Sequence, residues 1–450
     1  MQRRTLMESV SNTDFLLNTP RAVKLYHEHI ADLPILDLCC QLDASALAEN
    51  REITNVTELW LYGDPKKWEL MRVCGVDERF ITGNASDFEK FRELCRIMPM
   101  LIGNPQYITC HVELQRFFGC NLTINSDNCE TIWKETSDKL AKHRLGAFDY
   151  AKMSGAKTIF VACAPTDSLS PYEVIEARGE LSVLPVFSPD KCFNLNQKGI
   201  AQYFSEVGKI TSVDICDYDS FCRAYRILMD RFSAVGCRTA YHNMSADHSF
   251  IKPDMHHADL ILKKALSGKG AEITRDELSL WKTQLMRFFG AEYLKRNWVM
   301  QIECSPNSNS DMEAILSYMS SSNVLPKTIL YSNNVIDHAS VAAICKNLCR
   351  IEQNRSVTVV QGIGCMAEIG ANEIEAAIAN LATKTAIGSV IGVQSGAYGY
   401  GVGIVHELFR KSVCNVIGNW VDKGICPECT VVETIKNICY HKAARYFEID

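Results

Sequence analysis

Three side chains able to ligate a metal or move a proton stand at the polar ends of short apolar runs: Cys39 in DLCCQLD, His242 in AYHN and Glu303 in QIECS. Thiolate, imidazole and carboxylate are all zinc ligands, so together they could form one divalent-metal site. The competing reading is that they are neutral fillings of a polar pocket. His248, His256 and His257 in SADHSFIKPDMHHADL form a second histidine-rich stretch, which reads as metal-binding or as solvated loop histidines. Cys426-Pro-Glu-Cys429 is a single C-x-x-C with Cys439 and His441 downstream. One such pair is consistent with a redox pair or zinc knuckle but also with ordinary helix packing. The glycines of GAYGYGVGIV (396–405) suggest a phosphate loop, yet their spacing matches neither G-x-G-x-x-G nor a P-loop.

Eight β-branched or apolar runs must position these groups: 34–42, 158–164, 182–187, 237–243, 298–304, 327–332, 357–363 and 389–395. Such runs suit a parallel sheet buried on both faces. Segments with helical periodicity lie between most of them, including NQKGIAQYFSEVGKI, RDELSLWKTQLMRFFGAEYLKR, DMEAILSYMSS, HASVAAICKNLCRI and NEIEAAIANLATKTA. Strand–helix alternation with eight strands predicts a (β/α)8 TIM barrel over a doubly wound sheet, which usually has fewer strands. No composition shift divides the chain, so residues 1–450 read as one barrel domain. The connection 43–157 is far too long for a barrel loop and is rich in helix-forming pieces, which predicts a helical subdomain inserted over the mouth.

Hydrophobic residues are 47% of the 450, enough for a large core, and the net charge of −6 offers no electrostatic reason to bind nucleic acid or an anionic membrane. No apolar run reaches the length of a membrane span or a signal peptide. Twenty cysteines without a secretory signal read as reduced thiols in a cytoplasm.

Several stretches, in order, resemble the uronate isomerase (glucuronate/galacturonate isomerase) family of the amidohydrolase superfamily. They are FLLNTPRAVKLYHEHIADLPILD, NVTELWLYGD, GVDERFITGNASDFEKF, IGNPQYIT, VLPVFSPDK, GAEITRDEL, LPKTILYS and HELFRKSVCNVIGNWV, spread from about residue 14 to about residue 447. The resemblance implies an amidohydrolase-like barrel, a small hexuronate as substrate and a divalent metal such as zinc. The implied reaction takes D-glucuronate to D-fructuronate and D-galacturonate to D-tagaturonate. That chemistry needs a base, groups that polarise a carbonyl and cations for the sugar carboxylate.

At the matching site positions this chain departs from the family. Cys39 and Gln41 stand at the H-x-H histidines, Tyr241 at an aspartate beside the retained His242, and Glu303 at a histidine. Gln394 replaces a metal-binding aspartate and Gly396 a substrate arginine; glutamine cannot accept a proton near neutral pH and glycine cannot clamp a carboxylate. Pro65, Glu69, Ser188, Cys365 and Met366 are further departures, while His111 and Glu113 in the retained H-x-E-L-Q-R segment remain candidate substrate contacts.

The resulting expectation is a cytoplasmic uronate isomerase-like protein with the family metal lost or altered and little or no isomerase activity. It would bind a sugar acid weakly, assemble as a homo-oligomer or partner an active paralogue. The alternative is an active sugar-acid enzyme with a metal site rebuilt from Cys39, His242 and Glu303. Restoring the family residues at Cys39, Gln41, Gln394 and Gly396 should, on this reading, leave folding largely intact.

Overall fold

The computed structural model describes residues 12–244, 249–304, 309–348, 358–365 and 370–449. Helix α1 (Pro20–His29) leads into β1 (Ile35–Cys40). Seven helices follow: α2 (Ala44–Glu49), α3 (Val56–Trp60), α4 (Pro65–Val73), α5 (Asp87–Ile97), α6 (Pro105–Phe118), α7 (Cys129–His143) and α8 (Ala147–Met153). The chain then runs through β2 (Ala156–Cys163), α9 (Ser170–Glu176), β3 (Ser182–Phe187), α10 (Ile200–Thr211), α11 (Tyr218–Ala234) and β4 (Thr239–Met244). Next come α12 (Met255–Lys264), α13 (Arg275–Arg296), β5 (Val299–Cys304), α14 (Asn309–Ser321), β6 (Thr328–Tyr331), α15 (His338–Leu348) and β7 (Val359–Cys365). The chain ends with α16 (Ala371–Ala382), β8 (Ile391–Gln394), α17 (Val402–Asp422), α18 (Glu428–Lys436) and α19 (Lys442–Phe447).

The eight strands pair in sequence order and each adjacent pair is parallel. The seam between β8 and β1 is bridged just beyond β8, where Gly396 N–H donates to Cys39 O (3.1 Å) and Gln41 N–H to Ala397 O (2.9 Å). A (β/α)8 barrel results, as the alternating pattern predicts. Each of the eight apolar runs overlaps a strand, and α13 spans the residues of RDELSLWKTQLMRFFGAEYLKR.

Local sequence explains the helix starts. Pro20, Pro65 and Pro105 occupy first-turn positions, where a missing N–H costs nothing. Ser86 with Glu89 and Thr274 with Glu277 form capping boxes on α5 and α13, each supplying partners for N–H groups a helix cannot satisfy itself. Pro65, which stands at a family histidine, therefore has a structural task as the first residue of α4.

The barrel interior takes at least one apolar or aromatic side chain from every strand, among them Leu36, Phe160, Val186, Tyr241, Val299, Ile329, Val360 and Ile391. Tyr446 and Phe447 of α19 join the same cluster, and Tyr446 OH donates to Thr328 O and Thr358 O. The C-terminal helix thus packs against the interior near the start of β6 and β7. Between β1 and β2, helices α3 to α7 pack around an apolar cluster of their own that includes Trp60, Phe91, Leu94, Leu114, Phe118 and Ile132. No helix among the described residues is long and apolar enough to cross a membrane.

Candidate functional site: the strand ends and the cleft beside them

Strand parity decides which side chains reach the mouth. On β4, Ala240 and Met244 belong to the core between strands and outer helices, and His242 shares their side of the strand. Its Nε2 lies 3.1 Å from Tyr293 OH on α13, and the rings of Phe193 and Phe289 flank it. His242 is fully buried, and burial pushes its pKa down to about 3, so the ring is neutral. Tyr241 and Glu303 instead point inward, where Tyr241 OH donates to Glu303 Oε2. Asn333 Nδ2 donates to the other carboxylate oxygen (3.0 Å), and Asn333 Oδ1 accepts from Cys365 N–H (2.9 Å).

Cys39 reaches the interior because β1 carries a bulge. Asp37 pairs with Ile159 and Cys40 with Val161, so three steps on β1 face two on β2 and both Leu38 and Cys39 join the interior cluster. Burial, reinforced by the charge of Asp37, raises the Cys39 thiol well above its ordinary value and keeps it protonated. The proposed ligand set of Cys39, His242 and Glu303 therefore does not assemble. One member faces the outer helices, one is a thiol and the third already accepts two hydrogen bonds. Among the described residues no three His, Cys, Asp or Glu side chains come close enough to hold a metal. The donors at these strand ends do not fit the family's metal.

The other replaced positions have structural occupations. Gln394 is buried and donates through Nε2 to Gln301 Oε1 (2.9 Å). That same oxygen accepts from Tyr331 OH (3.0 Å), while Gln301 Nε2 donates to Leu38 O and Thr239 Oγ1 (3.0 Å each). Gln301 thus makes all four hydrogen bonds an amide can make, inside the barrel. Such a closed neutral network is stable when every member is satisfied. Gly396 adopts a φ of 61°, which an arginine would find strained. Gln41 is exposed and lines a cleft of about 820 Å³ with Arg51, Glu58 and Tyr398.

Asp190, at the end of β3, was not singled out by sequence reasoning. Its carboxylate accepts from Asn243 N–H (3.3 Å) and lies 3.8 Å from His242 Nδ1. Lost solvation and the charge of Glu303 hold its pKa above the ordinary carboxylate value, against the pull of Asn243 and Lys282. Its place in the retained SPDK motif was the available signal. Among the described residues, Asp190 and Glu303 place two carboxyl groups at the mouth.

His111 is fully buried inside the helical segment, and both ring nitrogens are used: Nδ1 bonds Tyr107 O (2.7 Å) and Nε2 accepts from Ile124 N–H (3.0 Å). It ties α6 to the following turn and offers no face to a ligand, which corrects its reading as a substrate contact. Glu113 lines a cleft between α4, α6 and the loop at 397–401. Burial raises its pKa to about 7, although Lys67 pulls the other way. A carboxyl raised in the folded state costs stability as pH climbs through the interval from 4.5 to about 7. Glu113→Gln is therefore expected to match the parent below pH 4.5 and to exceed it at pH 8 by up to about 3 kcal/mol. Urea melts at the two pH values check this; equal stabilities at pH 8 would refute the assignment.

The remaining candidates stay apart. His256 and His257 are exposed on α12, where His257 Nδ1 lies 3.1 Å from Asp254, the residue capping that helix; His248 lies outside the described residues. Cys426 is half-buried and Cys429 exposed at the start of α18, whereas Cys439 is buried in an apolar cluster and His441 is only partly buried. All described cysteines are free. Cys365 lies at the mouth, and Met366 lies outside the described residues.

A family model described as Glucuronate isomerase matches residues 7–312 and 304–447. A uronate isomerase of Lachnospira eligens is 32% identical, with 99% of this chain and 100% of the relative covered. One of Oceanobacillus iheyensis is also 32% identical, with 98% of each covered. The crystal structure of a uronate isomerase from Thermotoga maritima superposes with a TM-score of 0.87 at 25% identity, covering 97% of this chain and 99% of that one. A glucuronate isomerase from Caulobacter crescentus shares the fold with a TM-score of 0.85 at 15% identity, over 98% of this chain and 97% of that one. With matched motifs along its whole length and an eight-stranded barrel to carry them, the chain belongs to the glucuronate (uronate) isomerase family.

Proposed function

We propose that this protein is a cytoplasmic member of the family with little or no isomerase activity, retaining weak hexuronate binding or serving as partner to an active paralogue. Gln394 is the observation that carries the reading. At the position where the family resemblance implies a proton-accepting, metal-binding aspartate, this chain has an amide held in a satisfied network with Gln301. Neither amide can take a proton from a sugar carbon near neutral pH. Gly396 also stands where the family resemblance implies the arginine that would hold a sugar carboxylate.

Purified protein assayed with D-glucuronate and D-galacturonate, with and without zinc or manganese, is expected to turn over at least about a thousandfold more slowly than an intact relative. Comparable turnover would overturn the proposal. Thermal stabilisation by a uronate without turnover would support the binding role.

Asp190 beside Glu303 favours a second reading, proton transfer on a related sugar acid by carboxyl groups alone. Slow turnover that survives chelator and is lost in Asp190→Asn would favour it over the first.

A further inference from the structure

Two thiols meet inside the apolar cluster of the helical segment between β1 and β2. Cys95 lies on α5 and Cys129 is the first residue of α7; they are 0% and 2% exposed. The aromatic side chains beside them fix how the two helices face each other. Phe88 and Phe91 of α5 both pack on Trp133 of α7, with ring centroids 5.3 Å and 5.6 Å apart. Residues four apart share a helix face, so Cys95 lies one turn beyond Phe91 and Cys129 one turn before Trp133. With α5 and α7 running in opposite directions, these two positions come opposite each other. The Cys95 thiol donates a hydrogen bond to Cys129 Sγ, so the two sulfurs are in contact.

The two thiols are not equivalent. The hydrogen bond from Cys95 lowers the pKa of Cys129 against the effect of burial, and the charge of Arg92 acts in the same direction as that bond. The start of a 15-residue helix adds positive potential at the same sulfur. Cys95 is raised by the shared contact and by burial. One sulfur is thus prepared as a thiolate and the other as a thiol held against it, the arrangement of an attacking cysteine and its resolving partner. Cys129 also lies one layer from solvent, since its neighbours Asp127, Glu130 and Arg92 are exposed.

We propose that Cys95 and Cys129 form a reversible disulfide when the protein meets hydrogen peroxide, locking α5 to the start of α7. The Cys129 thiolate attacks one peroxide oxygen and the O–O bond breaks. The departing oxygen takes up the proton that Cys129 gave up on ionising and leaves as water, and Cys129 becomes a sulfenic acid. The Cys95 sulfur then attacks Cys129 Sγ, the S–O bond breaks, and the hydroxyl leaves with the Cys95 proton as a second water. The two electrons that reduce the peroxide come from the two sulfurs. The new bond closes a loop of about 34 residues that contains all of α6. Since α6 carries Glu113 to the cleft beside the 397–401 loop, the cross-link stiffens one wall of that cleft.

The test treats the reduced full chain with hydrogen peroxide below its melting temperature, blocks the remaining thiols with an alkylating reagent and maps the peptides by mass spectrometry. A cross-linked peptide joining Cys95 to Cys129 is expected, and dithiothreitol should remove it. The oxidised chain should also melt a few degrees higher than the reduced one. Cys95→Ser should stop the reaction at Cys129, whose sulfenic acid is then trapped by dimedone, whereas Cys129→Ser should leave Cys95 as an alkylatable thiol. The proposal is overturned if both thiols of the parent stay reduced at a peroxide concentration that oxidises the exposed Cys429. Bonding of either cysteine to another partner, Cys110 above all, overturns it too, as does a cross-link that appears only in urea. None of these outcomes bears on hexuronate turnover, so this proposal and the loss of isomerase activity stand or fall separately.

Discussion

Returning four strand-end positions to the family residues, as Cys39→His, Gln41→His, Gln394→Asp and Gly396→Arg, is expected to destabilise the protein by on the order of 5 kcal/mol. It is also expected to return little isomerase activity. Gln394→Asp would be the largest contributor. It removes the amide that donates to Gln301 Oε1 and sets a carboxylate against that oxygen in a buried barrel. Cys39→His must fit a ring where the thiol is 5% exposed and packed among Leu36, Leu38 and Tyr331. Gly396→Arg adds about 1 kcal/mol for a side chain at positive φ, whereas Gln41 is exposed and tolerant. For a chain of 450 residues this destabilisation corresponds to a fall in Tm of roughly 5 °C. From the sequence alone these changes leave folding largely intact; the structure reverses that expectation because the replacements have become part of the packing. A Tm within a degree of the parent, with uronate turnover restored, would show that the amide network carries no such weight.

Asp37→Ala is expected to lose about 3–5 kcal/mol. Asp37 is fully buried at the seam between β1 and β8. Its carboxylate accepts from Ser395 N–H (2.7 Å), Ser395 Oγ (2.5 Å) and His406 Nε2 (3.3 Å), joining β1 to the segment after β8 and to α17. Removing it strands three donors in a dry interface, whereas Ser395→Ala removes one hydroxyl and should cost about 1–2 kcal/mol. Equilibrium urea unfolding of both variants gives the comparison. A loss below about 1 kcal/mol for Asp37→Ala would mean that backbone bonds alone close the barrel.

Both predictions concern residues whose type was plain in the sequence and whose task was not. Asp37 reads as one polar residue in an apolar run, and its partners Ser395 and His406 are more than 350 positions away. Gln301 likewise sits unremarked in WVMQIEC until Gln394, Tyr331 and Thr239 are brought around it. His242 shows the same limit from the other side. In a strand buried on both faces, apolar neighbours on each side hide the alternation that would reveal which way a polar side chain points. The bulge that turns Cys39 inward leaves no local trace either, because it exists only as a mismatch of register with β2.

What the sequence by itself determined is the set of elements and the lineage. Eight apolar runs became eight strands, the periodic segments became helices with the expected caps, and motifs spread along the chain placed it in its family. Those features depend on residues close together, or on the identity of many residues independently of where they lie in space. Only the tertiary structure decided that Cys39, His242 and Glu303 do not meet, that Gln394 has entered the core, and that Glu113 is buried on the wall of a cleft. The orientation, burial and protonation of a side chain are set by neighbours from other strands and helices, through register, bulges and lost solvation.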